Sequence, residues 1–272
     1  MKIKASILLT TLFTMSAIVF GQEKTAAPKT VPNKPAEVKT LEIKPSAAAT
    51  AAVKLPTAQE ILAKYVQALG GKAVNEKIKS RFTKGTVELA PLGVKGTFET
   101  YAAAPNKSIN RTNLDGIGEL IEGFDGVTAW SINPLSGNRD KAGEELAQAK
   151  LIYDFYRETK LEKLYSKMEV KGIEKVGASD AYVVTATPDG LPLETLYFDT
   201  ISGLLVRQDA TLVSPEGKQP VKVFYEDYRD VDGAKIFFKS RTILPQLELI
   251  TTNTEVKNNV AVEDAKFAKP KQ

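Results

Sequence analysis

The chain has 272 residues, 43% of them apolar and 26% charged, a balance that supports a globular domain with a sizeable core. It contains no cysteine and no histidine, which removes disulfides, thiol chemistry, Cys/His zinc sites, haem ligation by these residues, and every Ser-His or Cys-His nucleophile pair. The net charge is +4, with +5 ahead of residue 57 and −1 over 57–272, so no nucleic-acid partner is expected for the folded part.

Residues 1–21 read as an export signal. Lys2 and Lys4 supply a basic start, residues 7–20 an apolar run, and Val19-Phe20-Gly21 small residues at the −3 and −1 positions for cleavage between Gly21 and Gln22. The run is short for a membrane span, which needs about 20 residues. Retention as an uncleaved anchor is the alternative. With no cysteine after the apolar run, an N-terminal lipid anchor is excluded. Residues 22–56 are a linker with Pro28, Pro32, Pro35, Pro45 and Pro56, alanines over 47–52 and no aromatic residue. Such a composition buries too little surface to offset the entropy of ordering.

The domain, 57–272, opens on a capping box, Thr57 with Glu60 three residues later. Ile61, Leu62, Tyr65, Val66 and Leu69 follow as one apolar helical stripe, and Gly70-Gly71 ends it. The period then changes to two, predicting strands over 81–89, 94–103, 107–114, 119–124 and 127–132. Asp125-Gly126 is a hairpin signal that asks for positive φ at both residues. The only tryptophan, Trp130, then shares a strand face with Thr128 and Ile132 and reads as a core anchor.

Asn133-Pro134 should stop that strand, so 133–139 is expected to leave the sheet. Residues 144–163 read as helical, one long helix or two with a break near Thr159, with Leu146, Ile152, Phe155 and Tyr156 apolar. Further strands are predicted over 169–176, 181–187, 194–199, 204–213, 221–228, 236–244 and 248–256. In the fourth of these, Leu204, Val206, Ala210 and Leu212 should share one face, with Arg207, Asp209 and Thr211 on the other. Strands at hairpin spacing, with helices at the front and in the middle, make an α+β, β-rich chain built on one curved antiparallel sheet or open barrel.

This pattern resembles the periplasmic lipoprotein carriers LolA and LolB and related outer-membrane lipoprotein-sorting domains. Phe124-Asp125-Gly126-Val127-Thr128-Ala129-Trp130-Ser131-Ile132-Asn133-Pro134 is similar to their DG-x-x-x-W-x-x-x-P segment. The run from Tyr225 through Asp232-Gly233 to Ile236 resembles their last strand–turn–strand. The resemblance implies a half-open β-barrel of about 11 strands. The N-terminal helix and a central helical insertion would lie over its mouth, and an apolar cavity would take an acyl chain of a lipid or lipoprotein. Candidate lining residues are Phe98, Trp130, Leu204, Val206, Leu212, Val223 and Phe238, with Ile152 and Phe155 from the lid. Plain core packing is the competing explanation for each of them.

No enzyme activity, cofactor or metal is expected, and membrane contact would be transient. Two alternatives remain. One is an interaction module that senses the envelope state by holding a protein partner. The other is a glycan-cleaving enzyme using carboxylates among Glu226, Asp227, Asp230 and Asp232.

Overall fold

The computed structural model describes residues 54–270. The expected export signal, its cleavage between Gly21 and Gln22, and the linker up to residue 53 lie outside the described residues.

Helix α1 (Ala58–Ala68) starts at the predicted capping box. The Thr57 hydroxyl accepts from Glu60 N at 3.2 Å, and Thr57 N donates to the Glu60 carboxylate at 2.7 Å. Gly70 and Gly71, with φ of +99° and +83°, end it. A side chain at Gly70 would collide with the Gly233 carbonyl, its Cβ lying 2.0 Å from that oxygen, so glycine lets α1 dock on the turn that precedes the last long hairpin. A single turn, α2 (Lys72–Asn75), leads into the sheet.

Strands β1 (Ser80–Ala90), β2 (Val94–Ala103), β3 (Lys107–Leu114), β4 (Gly118–Phe124), β5 (Ala129–Asn133) and β6 (Gly137–Asp140) form a first meander. The chain then passes through α3 (Gly143–Ile152), a 3-10 turn at Arg157–Thr159 and α4 (Leu161–Leu164). A second meander follows: β7 (Tyr165–Val176), β8 (Ser179–Pro188), β9 (Glu194–Asp199), β10 (Leu205–Ser214), β11 (Gly217–Val231), β12 (Ala234–Leu244) and β13 (Leu247–Asn258).

All belong to one antiparallel sheet of order β6-β5-β4-β3-β2-β1-β13-β12-β11-β10-β9-β8-β7. Pairing of β1 with β13, from Arg81↔Asn258 to Ala90↔Glu248, joins the two meanders. The sheet does not close, and β6 and β7 are its free edges. It is a β-rich, open, barrel-like fold.

Three expectations need correction. The sheet has 13 strands rather than about 11, partly because 133–139 does not leave it. Asn133 Oδ1 accepts from Leu135 N at 2.8 Å, and Gly137 at φ +86° turns the chain back so that Asn133 pairs with Gly137. Proline here shapes a turn rather than a departure. The helix also ends earlier than the break near Thr159. Phe155 N is drawn to the Pro105 carbonyl at 2.9 Å, and Asp154 Oδ1 takes Tyr156 N. At the Asp125-Gly126 turn positive φ falls on Gly126 and not on Asp125, whose carboxylate instead accepts from Val127 N and Thr128 N at 2.8 and 2.7 Å. An aspartate side chain can replace the backbone geometry that a type I′ turn would need.

Trp130 is fully buried, packed against Ile109, Ile121 and Phe267. Its indole lies across Gly123, where an added Cβ would sit 2.1 Å from Cζ2. Phe267 comes from the segment after β13, which returns over the first meander and is tied there by Lys107–Asp264 and Lys269–Asp140 ion pairs, each 2.8 Å. Gly123→Ala should therefore lower stability by about 1–3 kcal/mol through overpacking. Urea unfolding followed by the single tryptophan will show the loss as an earlier midpoint. An unchanged midpoint would mean the ring is free to move.

Candidate functional site

The two faces of the sheet differ in what covers them. On the inner face α1 lays Ile61, Leu62, Tyr65 and Leu69 against Val184, Leu196, Phe198 and Leu205. The Tyr65 and Phe198 rings meet at 5.1 Å. At the hairpin tips, Leu89, Leu114, Leu120, Leu244 and Leu247 converge with Leu212 and Val221 and fill one end of the concavity.

Helix α3 links parts of the sheet that are far apart in strand order. One flank packs Ala149, Leu146 and Tyr153 on Phe124 and Ala129 of β4 and β5. From the other flank the Gln148 amide donates to the Thr211 carbonyl at 2.7 Å and accepts from Val213 N at 3.0 Å, both on β10. Seven strands separate β5 from β10 in the sheet order. A helix about 10 Å across can touch both only if the sheet curls around it.

The inner face is not uniformly apolar. Arg157, in the segment between α3 and α4, donates to Glu158 (2.9 Å) and the Tyr165 hydroxyl (2.9 Å) and lies 3.5 Å from Glu194. Tyr165 donates to Glu194 at 2.6 Å, Gln208 to Glu194 at 2.7 Å, Tyr225 to Gln208 at 2.9 Å, and Tyr65 to Glu158 at 2.6 Å. Burial pulls the Arg157 guanidinium down, but Glu158, Tyr165 and Glu194 outweigh it and hold its pKa well above the ordinary value. Burial first, then the Glu158 charge, drives the Tyr65 hydroxyl well up, so it stays a donor.

A second buried polar cluster lies beneath α3. Lys141 pairs with Glu122 at 2.5 Å, and Arg139 grips Glu145 through two contacts of 2.6 Å. Burial raises the Glu122 pKa more than Lys141 lowers it.

Two small cavities remain on this face. One of about 90 Å³ is bordered by Tyr65, Arg81, Phe155, Glu158, Tyr225 and Tyr228. The other, about 80 Å³, lies between Ala149, Ile152 and Tyr153 of the α3 segment and Leu212 and Val213 of β10. Each has room for about three waters at roughly 30 Å³ apiece, and neither holds an acyl chain as it stands.

The structure separates the predicted lining residues. Phe155 borders the first cavity, and Ile152 and Leu212 the second. Phe98 belongs to the hairpin-tip cluster, and Leu204 packs against the α1 cluster. Val223 pairs in register with Gln208 and Thr242 and shares their face. Val206 instead packs with Ala181, Val183 and Tyr197 on the outer face, because a bulge between Leu205 and Arg207 breaks the alternation with Leu204. Trp130 also points outward, under Phe267. Phe238 is buried beneath the Arg229 guanidinium, 4.4 Å from its ring centre.

The acidic residues of the β11–β12 hairpin are engaged locally. Glu226 pairs with Lys239 and Arg241, Asp227 with Arg229, Asp230 caps Gly233 N, and Asp232 accepts from Asn258. Among the described residues no group of three or more ligating side chains could hold a metal ion, and no helix is long and apolar enough to cross a membrane. Sequence reasoning missed Arg157, Glu194 and Gln208. The signal was present in Glu194, which occupies the same strand face as Leu196 and Phe198.

No family model and no curated protein matches the chain in sequence. Solved structures do match in fold. A DUF1329 family protein from Desulfovibrio piger aligns at TM-score 0.53 and 13% identity, covering 77% of this chain and 96% of its own. A LolA superfamily protein from Nitrosomonas europaea aligns at TM-score 0.52 and 13% identity, covering 79% of this chain and 99% of its own. The fold is LolA-like.

The Lys141–Glu122 pair makes a pH-dependent prediction. Lys141→Met strands a buried carboxylate and should cost about 3–5 kcal/mol at pH 7. A carboxyl group whose native pKa is raised contributes stability below its unfolded value of about 4.3, and loses it as pH rises through the native value. The deficit should therefore shrink on acidification from pH 7 to 4.5. Paired urea titrations measure it, and a pH-independent deficit would contradict the assignment.

Proposed function

We propose that this protein is an exported, non-enzymatic carrier that shelters an acyl chain of a lipid or lipoprotein on the inner face of its sheet, beneath α1 and α3. The observation that carries the reading is α3 itself, an apolar-footed helix laid across an open, curled sheet between β5 and β10. The fold likeness to a LolA superfamily protein agrees with it. A signal over 1–21 and a spacer over 22–56 would deliver the domain to the envelope and let it reach away from a surface.

Binding needs no titrating group. A chain of sixteen carbons leaving water gains about 0.8 kcal/mol per CH₂, roughly 12 kcal/mol before costs. With cavities of about 90 and 80 Å³, the conformation described here is closed, and α3 or α1 must shift to admit a chain. The apparent affinity is then the intrinsic one reduced by the fraction of molecules already open.

Gln148 sets part of that fraction through its two bonds to β10. Gln148→Leu forfeits both, about 1–2 kcal/mol in all, and should speed uptake of a fluorescent fatty acid about 5- to 30-fold. Stopped-flow mixing measures the rate; an unchanged rate would show that α3 is not the moving part.

Protein purified from an envelope fraction should carry a lipid extractable into organic solvent and, once delipidated, bind fluorescent fatty acid with micromolar affinity. Absence of uptake would end the carrier reading in favour of a protein-binding module. N-terminal sequencing of the mature protein should begin at Gln22.

A further inference from the structure

We propose that Arg81 is the anchor for an anionic head group, a carboxylate or a phosphate, on the amphiphile that this inner face receives; the proposal rests on the acyl-chain reading above. Each of the other six arginines of the chain has a carboxylate partner: Arg111 with Glu119, Arg139 with Glu145, Arg157 with Glu158, Arg207 with Asp209, Arg229 with Asp227, and Arg241 with Glu226. Arg81 has none among the described residues, although it borders the cavity of about 90 Å³.

The side chain is nevertheless held in place. Its Nε donates to Asn258 Oδ1 at 2.9 Å, and Asn258 is itself fixed by bonds to the Val231 carbonyl and Asp232. The Phe155 ring lies 5.9 Å from the guanidinium carbon, within cation–π range. What remains uncommitted is the pair of terminal nitrogens, the edge of the fork that receives a carboxylate or phosphate bidentately.

Apart from Lys235, the other polar groups around the cavity are already engaged. Tyr65 donates to Glu158, Tyr225 to Gln208, and Tyr228 to the Leu205 carbonyl; Glu158 pairs with Arg157, which it shares with Glu194. Asn75 donates to the Leu69 and Gly71 carbonyls. Lys235, exposed at the rim, adds a second positive charge.

Burial pulls the Arg81 pKa down to about 10, so the cation persists at neutral pH without a partner. An unpaired charge on a half-buried side chain is costly to keep. The cavity volume suits a head group, and Leu69, Leu205, Ile236 and Phe237 around it offer apolar contact to the first carbons of a chain.

The test uses the full chain and three probes with the same alkyl length: laurate, dodecyl phosphate and dodecanol, titrated by calorimetry. Both anions should bind about tenfold or more tighter than dodecanol, about 1.4 kcal/mol. Arg81→Gln should erase that preference, read as the ratio of anion to dodecanol affinity within each variant, and Arg81→Lys should retain part of it. Laurate ahead of dodecyl phosphate would identify a carboxylate, and the reverse a phosphate. Equal binding of laurate, dodecyl phosphate and dodecanol by the wild type would overturn the anchor while leaving the carrier reading intact, whatever the variants do. If no probe binds, sodium phosphate at matched ionic strength decides. A rise in Tm for the wild type that Arg81→Gln lacks would keep the anion site and end the carrier reading. No rise would end both.

Discussion

The pairing of β1 with β13 is the joint on which the molecule depends. Because the first and last strands meet near the middle of the sheet, the ends of the two meanders, β6 and β7, lie at opposite edges while remaining consecutive in the chain. The connection between them, residues 141–164, has to travel from one edge to the other. An antiparallel sheet this wide twists and curls, and the shortest route runs across its hollow side. The position of α3 is thus a consequence of strand order. Contacts such as Gln148 with β10 then fix where along the route the helix rests.

The hollow side divides its chemistry. Towards the hairpin tips it is packed with leucine, whereas beneath α1 and the segment after α3 it holds arginine, glutamates and tyrosines in a connected network. Such a network is costly in a water-poor space unless nearly every member is satisfied, and its bonds are correspondingly specific in direction. In the proposed carrier, an apolar chain admitted by a shift of α3 or α1 would find little directional preference along the leucine side. Near Arg157 and Arg81 it would meet fixed donors and acceptors. In the carrier proposed above, such a face would orient an amphiphile as well as hide it.

Much of the fold was legible because its signals are local. The capping box at Thr57 and Glu60, the glycines after α1 and the period-two runs each carry their own geometry, and strands such as 94–103 and 107–114 fall where the pattern placed them. What failed was non-local. Alternation says that Trp130 and Ala129 face opposite ways, yet it cannot say which way is inward; that depends on where α3 and the C-terminal segment come to lie. Bulges defeat the rule altogether. The one near Leu205 sends Val206 to the outer face, and positive φ at Asp227 lets Tyr225 and Tyr228, three residues apart, reach the same cluster. Arg81 gave no signal, since an arginine at the head of a strand looks like any other until its missing partner is seen in space.

The segment that seals Trp130 has a consequence for how the chain acquires its structure. Phe267 completes the core of the first meander, and β13 supplies the neighbour that β1 needs, yet both follow every other strand of the sheet in chain order. The first meander therefore cannot reach its final form before β13 and Phe267 have been made. Its apolar strands stay unprotected until β13 and Phe267 are available, and contacts between residues roughly 140 to 180 positions apart then close slowly. The two meanders so joined fold as a single cooperative unit, and a cut ahead of Phe267 removes part of a core whose other members lie roughly 140 to 160 residues earlier.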